Sequence, residues 1–85
     1  MKLLLFTLPS CYPCERAKKV LRDNFKHIPT TEYYLRSPVG KFMQVRTSPT
    51  LLLLDDEGNC VGKLVGAHNI TKIEIQGLIS DFFNC

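Results

Sequence analysis

The sequence predicts an α/β domain in the order β-α-β-α-β-β-α, with a four-stranded mixed sheet flanked by helices. Three observations carry this expectation. Two short, largely apolar runs, Lys2–Thr7 and Thr50–Leu54, have the length and bounding turn signals of buried strands. The stretches after Cys11 and Thr71 place apolar residues at helical spacing. The polar segment Asp55-Asp56-Glu57-Gly58-Asn59 separates Thr50–Leu54 from a loosely alternating run, the pattern of a hairpin. At 85 residues the chain is expected to be one domain spanning 1–85, and 45% hydrophobic content is enough for a core.

The first strand, Lys2 to Thr7, is bounded by Pro9. From Cys11 to about Asn24, Cys14, Ala17, Leu21 and Phe25 recur on one helical face, while Glu15, Arg16, Lys18, Lys19 and Arg22 point elsewhere. Thr31 to Leu35 is rich in β-branched and aromatic residues and reads as the second strand. Ser37-Pro38 fits an N-cap followed by a first-turn proline, with Val39, Phe42 and Val45 as the inner side of a short helix. Thr50–Leu54 has no polar face, so it is expected at the centre of the sheet. Cys60 to Val65 returns as an antiparallel edge strand. The last helix opens on a capping box, Thr71 with Glu74, and a hydrophobic staple, Ile70 with Ile75. Ile75, Leu78, Ile79, Phe82 and Phe83 continue it as an apolar stripe. The first three strands alternate with helices, which favours parallel or mixed pairing, and the hairpin adds an antiparallel edge.

Net charge is +3, and no Lys/Arg run exceeds two residues, so nucleic-acid binding is not expected. No segment approaches the length of a membrane-spanning helix. Met1 to Phe6 has the lone charge and apolar run of a short signal peptide, and Leu8-Pro9-Ser10-Cys11 hints at a lipoprotein site. The run ends at Pro9, however, and its removal would delete the first strand, so a cytoplasmic protein with reduced thiols is expected.

Four cysteines carry the chemical signal. Cys11 and Cys14 stand where a strand hands over to an amphipathic helix. The first helical turn offers free N–H groups and partial positive charge, which lower the pKa of a thiol placed there. Cys11, the outer residue, is expected to be the exposed nucleophile. Cys14, inside the first turn, is placed to attack a mixed disulfide on Cys11. Pro13 suits an early helical position, where its missing N–H is not needed. The competing readings are a small structural disulfide and half of a metal site. Zinc would want a second close pair, and Cys60 and Cys85 stand far apart in sequence.

Cys11-Tyr12-Pro13-Cys14 has its proline in the third position and resembles the thioredoxin active-site motif; glutaredoxins usually carry proline second. Val45 to Leu53, with Ser48-Pro49-Thr50 at its centre, resembles the thioredoxin stretch that holds the active-site cis-proline. Lys63-Leu64-Val65-Gly66-Ala67 resembles the strand and glycine that follow. Together these motifs identify the chain as a thioredoxin/glutaredoxin-like protein, close in length to a glutaredoxin or a minimal thioredoxin.

The resemblance implies a thioredoxin-like fold and a dithiol–disulfide oxidoreductase. It implies a cis Pro49 that exposes the Ser48 backbone for strand-like hydrogen bonds to a substrate segment, with Gly66 and Ala67 on the other side of the groove. Tyr12 would either pack on a bound substrate or only tune the redox potential. The expected partners are disulfide-containing proteins, and a thioredoxin reductase or a low-molecular-weight thiol for recycling. A monomer is expected, with no cofactor beyond the Cys11–Cys14 disulfide and no metal. Two positions depart from the thioredoxin pattern: Leu5 stands where a buried acid usually lies, and Ser10 where an aromatic usually precedes the first cysteine. The segment Gly66-Ala67-His68-Asn69 also lacks the acid that closes a glutaredoxin's glutathione site. A glutathione-dependent glutaredoxin, a metal or iron–sulfur module and a non-catalytic adaptor are the alternatives. Lys18, Lys19 and Arg22 are read as a solvated basic face, His27 and His68 as solvated loop residues, and Cys60 and Cys85 as free thiols.

Overall fold

The computed structural model describes residues 1–83, for Phe83 the backbone only; the expectation for Cys85 lies outside them, as does that for the Phe83 side chain. The elements are β1 (Lys2–Thr7), α1 (Tyr12–Asn24), β2 (Thr30–Tyr34), α2 (Pro38–Phe42), β3 (Thr50–Leu54), β4 (Cys60–Val65) and α3 (Lys72–Phe83). The strands lie in the order β2-β1-β3-β4. β1 runs parallel to β2 across the α1 crossover and antiparallel to β3, which pairs antiparallel with β4.

Alternation along the two central strands explains why both are apolar throughout. Leu3, Leu5, Leu51 and Leu53 face one layer, with Ala17, Leu21 and Phe25 from α1 and Ile70 and Ile75 from the start of α3. Leu4, Phe6, Leu52 and Leu54 face the other layer, with Val45, under half-buried Tyr33, Leu35, Val39 and Met43. Each large side chain so buried contributes about 1.5–3 kcal/mol relative to exposure. The hairpin closes through Asp55, whose Oδ1 accepts from the backbone N–H groups of Glu57 (2.9 Å) and Asn59 (2.8 Å). At α3, Thr71 Oγ1 accepts from the Glu74 N–H at 3.2 Å, and Ile70 and Ile75 are both buried, as the staple requires.

Two side chains and one strand boundary differ from the sequence expectation in these elements. Phe42 is 84% exposed rather than on the inner side of α2. That helix is only five residues long, and Gln44 (φ +58°) then turns the chain, so Val45 comes back to the core from non-helical backbone. Phe82 is 49% exposed, because the stripe of α3 meets the sheet mainly through Ile75, Leu78 and Ile79. Leu35 lies just past the end of β2, which begins one residue earlier, at Thr30.

Candidate active site

The strand register gathers the motif-bearing segments at one end of the sheet. Thr7, the last residue of β1, is opposite Tyr34 of β2. Its neighbour Phe6 is opposite Thr50, the first residue of β3, and Thr50 is opposite Val65, the last of β4. The loop that carries Cys11, the Ser48-Pro49 segment and Gly66 therefore all leave the sheet at the same end.

Between β1 and α1 the chain turns at Ser10 (φ +56°), a left-handed conformation that costs a non-glycine residue about 1–2 kcal/mol. Cys11 is then the N-cap of α1, with extended backbone (φ −109°, ψ 106°). Its Sγ accepts from the Cys14 N–H at 3.2 Å, so one otherwise unpartnered helix N–H already points at this sulfur. Tyr12 and Pro13 fill the first two helical positions. Cys11 and Cys14 are joined by a disulfide, with their α-carbons 5.2 Å apart. Cys11 is half-buried and Cys14 only 1% exposed, which makes Cys11 the accessible sulfur of the two. Tyr12 between them is 75% exposed.

The Ser48–Pro49 peptide is cis, with Ser48 half-buried and Pro49 buried. Thr50 Oγ1 donates to the Thr47 carbonyl at 2.7 Å and closes the turn before β3. The Gly66 N–H donates to the Pro49 carbonyl at 2.8 Å, so the two segments are joined directly. Gly66 has φ +89°, and a Cβ there would lie 2.8 Å from His68 Cε1. The space beside Gly66 is thus filled by this chain's own imidazole rather than left open. Asn69 holds that loop: its Nδ2 lies 2.8 Å from the Val65 carbonyl and 3.3 Å from His68 Nε2. Ala67 is half-buried beside it.

No family model matches the sequence, and no curated protein matches it. Solved structures do. The periplasmic thioredoxin SoxS from Paracoccus pantotrophus, in its reduced form, superposes with a TM-score of 0.71 at 23% identity, over 93% of this chain and 95% of that one. Thioredoxin f2 from Chlamydomonas reinhardtii gives 0.71 at 16% identity, over 98% and 79%. Thioredoxin 1 from Thermosipho africanus gives 0.68 at 19% identity, over 99% and 96%. The chain has the thioredoxin fold.

Within this thioredoxin fold, Leu5 is opposite Glu32 of β2, which lies on the same face of the sheet. Glu32 Oε2 accepts from Thr7 Oγ1 at 2.7 Å and pairs with Lys18 Nζ at 2.9 Å. Lys18 also reaches Glu15 at 3.2 Å. Thr7 is 1% exposed, so its hydroxyl needs this partner. The Thr7 hydrogen bond, followed by that from Lys18, holds the Glu32 carboxyl below its ordinary pKa, and the bonds to Glu32 and Glu15 raise that of Lys18. Sequence reasoning assigned Lys18 to a solvated basic face. That description fits Lys19, which pairs with Asp23 along the exposed side of the helix at 2.5 Å. The available signal was position: Lys18 is one helical turn from Cys14, on its side of α1. Among the described residues, no group of three or more His, Cys, Asp or Glu side chains is placed to hold a metal ion.

Proposed function

We propose that the chain is a dithiol–disulfide oxidoreductase that reduces protein disulfides through Cys11 and Cys14. The observation that carries this reading is the asymmetry of the pair: an accessible sulfur at a helix N-cap, bonded to a buried one three residues on. In the reduced form, Cys11 as thiolate attacks one sulfur of a substrate disulfide. A bond forms between Cys11 and that sulfur, and the other substrate sulfur leaves as a thiolate that takes up a proton. Cys14 then loses its proton and attacks Cys11. The Cys11–Cys14 disulfide forms and the second substrate thiol departs. Two electrons have passed from the cysteine pair to the substrate.

The joined Pro49 and Gly66 segments, with Ser48 and Ala67, supply backbone for an extended substrate segment, and Tyr12 supplies exposed apolar area beside the sulfurs. A thioredoxin reductase, or a low-molecular-weight thiol, returns the pair to the dithiol. The cytoplasm is the compartment in which we place the reaction.

The test is equilibration in glutathione redox buffers of a variant with Cys60 and Cys85 changed to Ser, together with Cys14→Ser. A reversible two-electron couple, and accumulation of a Cys11 mixed disulfide in Cys14→Ser, are the expected results. Absence of any reversible couple overturns the reading.

A further inference from the structure

Lys18 is the first basic residue of α1 on the same side of the helix as Cys14. Residues four apart on a helix lie roughly 5–6 Å apart at Cβ, and Cys14 and Lys18 have that spacing. Cys14 is sealed from water, so a neighbouring charge acts on it with less screening than on an exposed group. Lys18 is not a free surface lysine. It is held at 2.9 Å by Glu32, which the buried Thr7 hydroxyl fixes in turn at 2.7 Å, and at 3.2 Å by Glu15. The network runs from the last residue of β1 through β2 to the helix turn after the active-site cysteines. Lys18 and Glu32 are not members of the apolar layer beneath α1.

We infer that Lys18 and Glu32 are a positioning pair for the resolving step, acting with opposite signs on the Cys14 thiol. This rests on the oxidoreductase reading of Cys11 and Cys14. Lys18 favours the Cys14 thiolate. Glu32 holds Lys18 in place and partly cancels its charge. In the step concerned, the Cys14 sulfur bonds to Cys11 as the bond between Cys11 and the substrate sulfur breaks, and the proton that Cys14 gives up is matched by the one the departing substrate thiolate takes up. Other ionisable groups at this end of the fold are Tyr12 and Arg16 of α1, Tyr34 of β2, Arg36 just after it, Arg46 before Pro49 and His68 after β4. All six are exposed and screened by water.

The experiment follows two-phase release of thionitrobenzoate from Ellman's reagent by the reduced protein, in the Cys60→Ser, Cys85→Ser background. The first phase is attack by Cys11 and scales with reagent concentration. The second, independent of concentration, is resolution by Cys14. Its rate is measured against pH for Lys18→Met and Glu32→Gln; Gln keeps an acceptor for Thr7. Below the midpoint of the profile, Lys18→Met should slow resolution about threefold and Glu32→Gln should speed it about threefold, the midpoints moving up and down respectively. Equal slowing in both variants, or no change in either, overturns the inference. If the unaltered protein shows no second phase at all, it is the oxidoreductase reading that fails.

Discussion

The Gly66 N–H donates to the Pro49 carbonyl at 2.8 Å, and this one bond ties the segment before β3 to the segment after β4. It extends the ladder between these strands one step past the Thr50–Val65 pair, toward the cysteines. The two segments are therefore joined directly, and the His68 ring fills the space beside Gly66.

Gly66→Ala should show this. Gly66 has φ +89°, and the new methyl would stand 2.8 Å from His68 Cε1. The backbone cost for a residue with a Cβ is about 1–2 kcal/mol, and the ring must also move. Urea unfolding should show a lower midpoint with unchanged slope. In a His68→Ala background the steric part disappears and only the backbone part remains, so the loss on Gly66→Ala should become smaller. An equal loss in both backgrounds would mean that the imidazole does not limit this position.

Acid should unmask Glu32. Its carboxyl is held below its ordinary value of 4.5, by Thr7 first and Lys18 next. A depressed folded-state pKa contributes stability that is present above the unfolded value and is lost as pH falls through the folded one. Glu32→Gln should therefore be less stable than the parent at neutral pH, with the difference closing as pH drops below about 4.5. The side chain is 42% exposed, so solvent screening holds the neutral-pH difference to the order of 1 kcal/mol. Urea midpoints for both proteins across this range check it. A constant difference at every pH would assign the loss to packing instead.

Much of this architecture was legible in the sequence, for reasons that differ by element. The inward face of α1 follows from local spacing alone, and Cys14, Ala17, Leu21 and Phe25 are all buried. The central place of β3 follows from four leucines that leave no polar face. The cysteines could be placed because a helix start is a local signal. Phe42 misled because five residues are too few for helical periodicity to decide which side faces in. The Thr7–Glu32–Lys18 network was out of reach for another reason. It depends on β2 lying parallel to β1 in the register that sets Leu5 opposite Glu32, and no local pattern encodes that register. The filling of the Gly66 site by His68 likewise depends on how the loop after β4 folds back.

The core should tolerate little truncation. Leu53 is 1% exposed, on β3 between β1 and β4, and faces the layer of α1 and α3. Leu53→Ala removes buried methyl groups and leaves a cavity that close-packed neighbours fill only in part, at a cost of about 2–5 kcal/mol. Against a total of roughly 5–15 kcal/mol for a small domain, this is a large fraction. Thermal unfolding should show a fall in Tm of at least several degrees. A change of only a degree or two would mean that the sheet and helices close over the gap.

Tyr12 should separate binding from stability. At 75% exposure its ring contributes little to the fold, and Tyr12→Ala should change the unfolding free energy by no more than about 0.5 kcal/mol. It occupies the first helical position, directly after the accessible sulfur of Cys11. A protein disulfide brought to that sulfur meets the ring, whereas a small disulfide reagent needs only the sulfur. With a protein substrate, Tyr12→Ala should raise KM severalfold and leave kcat nearly unchanged, because an exposed aromatic adds contact area without touching the reacting atoms. With a small disulfide, the rate should stay close to that of the parent. Equal loss with both substrates would instead place Tyr12 among the residues that tune the cysteines themselves.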